Sequence, residues 1–292
     1  MVIDKVARPK SVPATPRLAY KQLDAFDVDS IFSRTLLGSS IVHLAADVSV
    51  ERSVKDPIST VRSNIGVTCA MLELARRVDS DRFVFTSTAG VYGDHFGARV
   101  ETDSPSPASP YAVSKLASEY YCKLYSALYG IPTTILRLFN VYCPEQSGEY
   151  AGVITRFIER AMKGKSPVVF GDGLQTRDFV YVDDAIQSIK TALQRPLTGG
   201  TVLNIGTGKA TAINALATLI GKFFDLQQRP VHRPPRKGDV RHSLANISKA
   251  RNQLGFRPKY DLQSGLHQTL NWFRRQGAYA RSSKLWKTEL IY

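Results

Sequence analysis

Short apolar runs alternate with helical patterns along most of this chain. The apolar runs cover residues 41–46, 82–87, 133–139, 167–170 and 201–205. The helical patterns follow Asp56-Pro57, begin at Tyr111, and begin again near Val153, Asp183, Thr211 and Asp261. Strands that alternate with helices form a parallel sheet, because each helix carries the chain back across the sheet. The nearly continuous apolar character of the runs indicates burial on both faces. The predicted fold class is α/β, with a doubly wound parallel sheet.

The composition fits a globular protein and excludes several functional classes. The 292 residues are 43% apolar and 22% charged, which suits one large or two modest domains. No apolar run approaches the roughly 18–20 residues of a membrane span, and the first ten residues lack an apolar signal core. The three cysteines have no metal-like spacing and indicate reduced thiols. We therefore predict a cytoplasmic protein that binds neither a membrane nor a metal ion.

The formal net charge of +14 raises the question of a nucleic-acid partner. Such binding requires basic residues that cluster on one surface. Here the lysines and arginines are scattered, with modest density only at residues 229–241 and 274–288. The pattern predicts no nucleic-acid partner, and it is compatible with attraction of small anionic substrates.

Three residues predict a catalytic site. The strand-like run of residues 82–88 ends at Thr88, Tyr111 follows 23 residues later, and Lys115 lies four residues further on. Positions i and i+4 of a helix share a face, so the ammonium of Lys115 is expected close to the phenol. A nearby cation lowers a tyrosine pKa from its usual value of about 10, which makes a general base. A bare Tyr-x-x-x-Lys arises by chance in many helices, but the hydroxyl at a strand end favours function.

Seven sequence blocks surround these residues. They cover residues 42–46, 86–93, 109–115, 136–142, 170–184, 204–208 and 236–242. In this order they resemble the extended short-chain dehydrogenase/reductase family, in particular the nucleotide-sugar 4-epimerases of the UDP-galactose 4-epimerase type. The resemblance runs from residue 1 to about residue 274. It implies NAD as cofactor, a UDP-sugar as substrate, a Rossmann-type sheet with a smaller α/β substrate-binding domain, and a homodimer.

One block of that family has no counterpart here. The family begins with a strand and a Gly-x-x-Gly-x-x-Gly turn that holds the NAD pyrophosphate at a helix N-terminus. Residues 1–4 resemble the end of the second strand instead. Residues 205–208 contain two glycines but lack the third, and we interpret them as a strand-to-helix turn with Thr211 as the helix cap. We expect the polypeptide as written to bind NAD weakly and to be poorly soluble.

The resemblance also divides the chain. Residues 1–143 correspond to an NAD-binding Rossmann-like domain without its first βα unit, and residues 177–205 return to that domain. Residues 144–176 and 206–292 correspond to the substrate domain. No pattern places residues 278–292.

The resemblance assigns roles residue by residue. The implied catalytic residues are Thr88, Tyr111 and Lys115. The implied cofactor-binding residues are Asp4, Asp24, Leu44, Ala45, Ala46, Asn64, Tyr111, Lys115 and Phe139. The implied substrate-binding residues are Thr88, Asn140, Phe170, Arg177, Arg236, Asp239 and Ser243. His43 is interpreted as structural, and the other histidines have no metal-ligand spacing. Taken alone, Arg177-Asp178 is also compatible with a structural salt bridge.

The implied reaction is transient oxidation at C4 of the sugar, with Tyr111 as the base and Thr88 as a proton relay. Related dehydratases place an Asp-Glu pair directly after the threonine, whereas Ala89-Gly90 stands here. This difference favours an epimerase. Two alternatives stay open: another nucleotide-sugar dehydratase or reductase of the superfamily, and an inactive binding protein that lacks the phosphate loop.

Two further expectations follow from the resemblance. In related epimerases a bulky tyrosine at the position of Ser243 excludes N-acetylated sugars, so Ser243 predicts that they are admitted. Relatives dimerise through two helices that form a four-helix bundle. The apolar surface for that contact is expected from Cys69, Met71, Leu72, Leu74, Tyr121, Leu124 and Leu128.

Overall fold

A computed structural model describes residues 1–9, 12–146, 151–195, 197, 199–226, 229–236 and 239–282, with side chains as far as residue 275. Residues 283–292, which the sequence analysis assigned to the substrate domain, lie outside the described part, as do the side chains from residue 276 onward. The same holds for Lys237 and Gly238 of the block at 236–242.

A parallel sheet of four strands forms the centre of the molecule. The strands are β3 (Ile41–His43), β4 (Phe83–Thr88), β5 (Thr133–Leu138) and β9 (Thr201–Ile205). They lie side by side in the order β3-β4-β5-β9, and every pair is parallel. The predicted α/β class with a parallel sheet is confirmed, and the predicted strand bounds are right to within three residues.

The first two strands form a separate sheet. Strands β1 (Val2–Asp4) and β2 (Tyr20–Gln22) pair in parallel. Ile3 of β1 and Leu23, directly after β2, pack on the same apolar cluster as Ile41 of β3, so the two sheets share one core. Within the described residues, no strand pairs with the edge of β1 opposite β2 or with the edge of β3 opposite β4. In the described part of the chain, β1 and β3 therefore each have one unpaired edge beside a shared core.

The helices cover both faces of the central sheet. On one side lie α1 (Val28–Ile31), α2 (Val50–Lys55), α3 (Pro57–Thr60), α4 (Val67–Arg77) and α5 (Pro110–Tyr129), with a π-helical segment, Val61–Gly66, that joins α3 to α4. Phe83 and Phe85 face the cluster on this side, whereas Val84 faces the cluster on the other. Successive residues of β4 are therefore buried on opposite faces of the sheet. This explains the continuous apolar runs in the sequence.

Helix α5 begins and ends where the sequence indicates. The side chain of Ser109 accepts a hydrogen bond from the Ala112 amide, and Pro110 occupies the first turn. Gly130 ends the helix in the left-handed conformation, with φ of 70°. Tyr111 and Lys115 therefore lie in the first two turns of a 20-residue helix that packs against β4.

Two groups of short strands form the second part of the molecule. The strands are β6 (Asn140–Tyr142), β7 (Val168–Phe170), β8 (Thr176–Tyr181), β10 (Ala210–Ala212), β11 (Val231–Arg233) and β12 (His242–Ser243). Strand β8 pairs with β6, β10 and β12, while β7 pairs with β11. The helices of this half of the chain are α6 (Val153–Met162), α7 (Val182–Gln194), α8 (Ile213–Phe223), α9 (Ser248–Leu254) and α10 (Leu262–Ser282). Helix α6, α8 and α10 enclose a second apolar cluster on these strands.

Two local predictions are wrong. Thr211 does not cap α8, because it lies in β10, where it pairs with Arg177 of β8. Met71, Leu72 and Leu74 do not supply exposed apolar surface, because that side of α4 packs on the central sheet and leaves each of them at most 6% exposed. The exposed apolar side chains of α2, α3, the π-helical segment and α5 include Val54, Ile58, Val61, Val113, Tyr120, Tyr121, Leu124 and Leu128.

Candidate active site

A cleft of about 220 Å³ lies at the carboxyl end of the central sheet. Its walls come from residues that follow β4 and β5 and from β8 and β12. Ligands of open α/β sheets bind at this edge. The structure brings seven of the predicted site residues to this cleft: Thr88, Tyr111, Phe139, Asn140, Arg177, Asp239 and Ser243.

Thr88 and Tyr111 meet in the cleft. Thr88 is the last residue of β4, and its Oγ1 also accepts a hydrogen bond of 3.1 Å from the Gly90 amide. The Tyr111 side chain lines the cleft together with Thr88. Burial raises the pKa of Tyr111 to about 12, and interaction with the Thr88 hydroxyl opposes this rise. The two hydroxyls can therefore share a proton with one substrate oxygen.

Lys115 occupies a different place from the one expected. Its ammonium lies over the Phe85 ring, 4.3 Å from the centroid, and the residue is only 4% exposed. Burial lowers the pKa of Lys115 to about 8, and nearby Cys122 and Glu119 oppose this change. Lys115 is not among the groups that shift the Tyr111 pKa. The predicted lowering of that pKa is therefore wrong for this structure, because the lysine points along the helix toward β4.

His43 lies beside this lysine at the end of β3. Its ring stacks on Phe85 with centroids 5.6 Å apart, and its Nε2 is 3.1 Å from Thr68 Oγ1. Burial and the charge of Lys115 lower the His43 pKa to about 3. The imidazole is therefore neutral at physiological pH and packs as a core side chain.

The predicted cofactor residues of the first strands follow β1, β2 and β3. Asp4 ends β1, and its carboxylate accepts a hydrogen bond from the Val6 amide. Asp24 follows β2 and accepts one from the Phe26 amide. Both carboxylates are exposed. After β3 come Leu44, Ala45 and Ala46, of which the first two are exposed. These residues share the carboxyl edge of parallel strands with the cleft.

Asn64 lies in the π-helical segment and is 1% exposed. Its amide nitrogen donates to Ser114 Oγ of α5 and to the Asp47 carbonyl, at 2.9 and 3.0 Å. Its amide oxygen accepts from the Asp47 amide at 2.7 Å. The residue therefore joins the loop after β3 to the catalytic helix. π-Helical turns occur frequently at functional sites.

The predicted substrate residues gather on β8, β12 and the segment before β12. Arg177 forms an ion pair with Asp239, and its ladder partner on β12 is Ser243. The guanidinium of Arg236 lies 3.9 Å from the centroid of the Phe170 ring. This ring lies at the end of β7. A planar guanidinium held in this way offers its donors to phosphate oxygens.

The alternative reading of Arg177-Asp178 as a salt bridge is wrong. The Asp178 carboxylate is buried and accepts hydrogen bonds from Thr207, Gly208 and the Ala245 amide. Burial raises the pKa of Asp178, and these donors oppose the rise. The Asn140 side chain donates to the Asp178 carbonyl at 3.3 Å. Asp178 therefore holds the turn after β9 and the segment after β12 against β8.

Twelve further residues line the cleft, and Val50, Gly93, Arg99 and His242 are among those that the sequence did not predict. Gly93 has φ of 67°, and a Cβ there would lie 2.0 Å from the Ser106 carbonyl oxygen. Its place at the end of the block at 86–93 was the available signal. Arg99 pairs with Asp103 at 3.0 Å, and His242 is 3.1 Å from Thr176 Oγ1. No spacing in the sequence marks these two residues.

Among the described residues, no group of three or more His, Cys, Asp or Glu side chains could hold a metal ion. No helix in the same part of the chain is long and apolar enough to cross a membrane.

Comparison with known proteins identifies the family. The family model described as NAD dependent epimerase/dehydratase family matches residues 5–206. The chain belongs to this family. A protein named putative UDP-glucose 4-epimerase, from Methanocaldococcus jannaschii, is 40% identical over 238 residues, which cover 80% of this chain and 76% of that protein. A UDP-glucose 4-epimerase of Mycolicibacterium smegmatis is 39% identical over 240 residues, 81% of this chain and 76% of the relative.

Solved structures of the epimerase/dehydratase family share the fold. A UDP-glucose 4-epimerase of Thermotoga maritima, with UDP-glucose, has a TM-score of 0.87 and 34% identity, and the match covers 94% of this chain and 90% of that one. A UDP-N-acetylglucosamine 4-epimerase from Methanobrevibacter ruminantium matches with the same score, 31% identity and the same coverages. A UDP-glucuronic acid 4-epimerase from Bacillus cereus, in complex with UDP-glucuronic acid and NAD, has a TM-score of 0.85, 30% identity and the same coverages.

Proposed function

We propose that this chain is an NAD-dependent UDP-sugar 4-epimerase that interconverts UDP-glucose and UDP-galactose. The observation that carries the proposal is the meeting of Thr88 and Tyr111 in a cleft that also contains Arg177. Ala89 and Gly90 line the same cleft directly after Thr88, where related dehydratases carry carboxylates. Elimination of water would lack its acid there. The named relatives and structural neighbours support the epimerase over the alternatives.

The residues of the early strand ends fit the adenosine part of NAD. Exposed carboxylates at Asp4 and Asp24 can accept hydrogen bonds from a ribose and from an adenine amine. Ala45 and Ala46 leave room for close approach of a ligand to the backbone after β3. Phe139 and Asn64 complete the proposed cofactor set. The chemistry that NAD supplies when bound is reversible hydride transfer at C4 of the sugar.

The proton chemistry belongs to Tyr111 and Thr88. Tyr111 is the proposed base for the 4-hydroxyl proton, and Thr88 holds the same oxygen through its hydroxyl. Because burial raises the pKa of Tyr111 to about 12, the phenolate requires positive charge nearby in the working complex. Lys115 is the proposed source of this charge from the protein, and it also hydrogen-bonds the nicotinamide ribose in this proposal. Its position over Phe85 requires a rotamer change for that role.

The UDP portion requires firm binding because the sugar must turn over between the two hydride transfers. Arg177 and Arg236 are the proposed diphosphate ligands, with Asn140 beside them. Asp239 is the proposed ligand of the uridine ribose, and Phe170 lines the proposed uracil pocket. The Arg177–Asp239 ion pair and the stacking of Arg236 on Phe170 support this assignment, because they order the donors before substrate arrives.

The pocket for the 2-substituent is proposed at Ser243. This small residue lines the cleft opposite Arg177 in the β8–β12 ladder. We propose that UDP-N-acetylhexosamines are accepted as well as UDP-hexoses.

A homodimer is part of the proposal. Exposed apolar side chains of α3 and α5, including Ile58 at 78% and Leu128 at 63%, support it. A groove between the π-helical segment and the start of α5 adds apolar surface around Val61 and Val113. Contiguous apolar surface of this kind marks protein contacts.

Two other assignments remain proposals. The first is the division into residues 1–143 with 177–205, and 144–176 with 206–292. Strand pairing agrees with only part of this division. Strand β9 pairs with β5 of the first part, whereas β8 pairs with β10 and β12 of the second part. The second is a cytoplasmic location, which is supported by three free cysteines.

The test is direct assay of the purified chain with NAD and UDP-galactose, followed by NMR of the sugar products. Formation of UDP-glucose to equilibrium is expected. A 4-keto product formed with loss of water would favour the dehydratase, and oxidation of NADH in a parallel reaction supplied with NADH in place of NAD would favour a reductase. No turnover together with tight UDP binding would favour the binding protein.

A further inference from the structure

A buried carboxylate on the catalytic helix joins three elements below the cleft. Glu119 lies one turn after Lys115 and two turns after Tyr111 on α5, and it is 1% exposed. Its Oε1 accepts a hydrogen bond of 2.5 Å from Ser87 Oγ of β4. Arg137 of β5 donates to both carboxylate oxygens, with Nε at 3.0 Å from one and a terminal nitrogen at 2.7 Å from the other.

The level at which these groups meet is set by the sheet register. Ser87 of β4 lies opposite Arg137 of β5, and Thr88 lies opposite Leu138 one step further on. Glu119 is therefore hydrogen-bonded to both β4 and β5, at the level one residue before Thr88. A shift of α5 along β4 would break these hydrogen bonds and move the Tyr111 hydroxyl relative to Thr88.

The connection extends to the wall of the cleft. The Arg137 guanidinium lies 4.7 Å from the centroid of the Tyr92 ring, and Tyr92 lines the cleft. The Tyr92 hydroxyl donates to Asn204 Oδ1 of β9 at 2.7 Å. The buried polar groups thus connect α5 with β4, β5 and β9.

Stability alone is a weak reason for such a pair. Desolvation of two buried charges costs about as much as their attraction gains, and apolar replacements of similar volume are often neutral or stabilising. Breaking the pair from one side, in contrast, costs about 3–5 kcal/mol, because one charge is left buried. A buried pair that joins the elements of a site is therefore better explained by the geometry that it imposes.

We infer that Glu119 is a positioning residue of the reaction: it fixes α5 on β4 and β5 so that Tyr111 meets Thr88, and it places a negative charge beside Lys115. The inference rests on the proposed epimerase function. The charge acts on Lys115 from its own helix, where Cys122 is the other titratable neighbour. Two further titratable or charged groups face this region. His43 of β3 is neutral, and Arg137 of β5 is paired with Glu119.

The decisive variant replaces both partners, Glu119→Met with Arg137→Met. Because it removes the pair without leaving a lone charge, the melting temperature is expected to stay near that of the parent. The Kd for UDP is also expected to stay within about twofold. We expect kcat to fall tenfold or more with little change in KM, since small displacements of catalytic groups cost up to about 10²-fold.

A second readout does not depend on turnover. The Cε resonance of Lys115, assigned by comparison with Lys115→Met, reports its titration. In the double variant the midpoint is expected to fall below the parent value of about 8, because the neighbouring carboxylate is gone. Ser87→Ala keeps the charge and removes one hydrogen bond, so it should lower kcat without moving this midpoint.

A matched control removes an ion pair far from the cleft. Asp29→Asn with Arg77→Met deletes the exposed pair at 2.7 Å between α1 and the end of α4, and kcat should not change. A double variant with parental kcat and a parental Lys115 midpoint would overturn the inference. If it does not fold, Glu119→Gln carries the same two expectations. Absence of turnover in the parent would instead refute the proposed function, while the Lys115 midpoint would still decide on the charge.

Discussion

At the scale of single residues, the proposed reaction depends on the hydroxyls of Thr88 and Tyr111, which line one cleft. We expect Tyr111→Phe to lower kcat by a factor of about 10² or more, because general-base catalysis is lost. UDP-sugar binding should persist, since Arg177 and Asp239 lie on other elements. Steady-state kinetics and calorimetric titration with UDP separate these effects. Near-parental turnover of the variant would remove Tyr111 from the mechanism.

Lys115 predicts an unusual dependence of stability on pH. Its pKa falls from 10.5 in the unfolded chain to about 8 in the folded protein. Between these values the unfolded chain binds the extra proton, so the free energy of unfolding rises with pH in this window. The full difference amounts to about 3 kcal/mol. In denaturant unfolding at pH 8 to 10, the slope of this free energy against pH should be more positive in the parent than in Lys115→Met, because the raised pKa of Cys122 opposes the rise in both proteins alike. Equal slopes would contradict the assigned burial.

The same titration predicts the opposite trend for catalysis. If the ammonium is the charge that favours the Tyr111 phenolate, kcat should decline as pH rises through about 8. Tyr111, whose pKa is raised to about 12, gives more phenolate as pH rises throughout this range, so comparing the pH profiles of kcat in the parent and in Lys115→Met isolates the decline due to Lys115.

Ser243 gives a prediction about substrate breadth. Ser243→Tyr should remove activity toward UDP-N-acetylhexosamines and preserve activity toward UDP-hexoses, because the larger side chain fills the cleft beside the 2-substituent. Product analysis with both sugar pairs measures the split. Equal loss on both, or no turnover of acetylated sugars by the parent, would count against the assignment.

The sequence predicted these residues unevenly. Thr88 and Tyr111 are brought together as their spacing indicates, because strand end and helix start meet at one edge of a parallel sheet. The direction of the Lys115 side chain was not predictable, since it depends on packing with Phe85, which lies far away in sequence. Arg99 reaches the cleft through a bridge with Ala245, a contact that no local pattern encodes.

At the scale of elements, the exposed face of α5 predicts self-association. Leu124→Glu with Leu128→Glu should convert a dimer into a monomer, because both side chains are about half exposed or more and charges would be buried at the contact. Sedimentation at micromolar concentration measures the mass. Ile186→Glu, at an exposed apolar position of α7, is the matched control and should leave the mass unchanged. A parent that sediments as a monomer would refute the dimer.

Helix and strand existence was more predictable than their fine structure. The caps at Ser109 and Gly130 are local signals, and the structure has α5 almost at the predicted bounds. The π-helical segment has no such signal, because it depends on hydrogen bonds from Asn64 to Asp47 and Ser114. The prediction of Thr211 as a helix cap was wrong because its pairing with β8 is a long-range contact, which the local sequence does not reveal.

At the scale of the whole molecule, the described residues leave one edge of β1 and one edge of β3 without a pairing strand. Unpaired edges next to an apolar core favour aggregation.

The position of β9 has a consequence for how the molecule is made. This strand begins at residue 201 but pairs with β5, which ends at residue 138, after the chain has built β6, β7 and β8. On a ribosome, that interval takes roughly 3–12 s at typical rates of synthesis. During that time the edge of β5 that pairs with β9, which includes Leu136, has no partner strand. Nascent chains stalled between these points should therefore depend on chaperones more than chains stalled after β9.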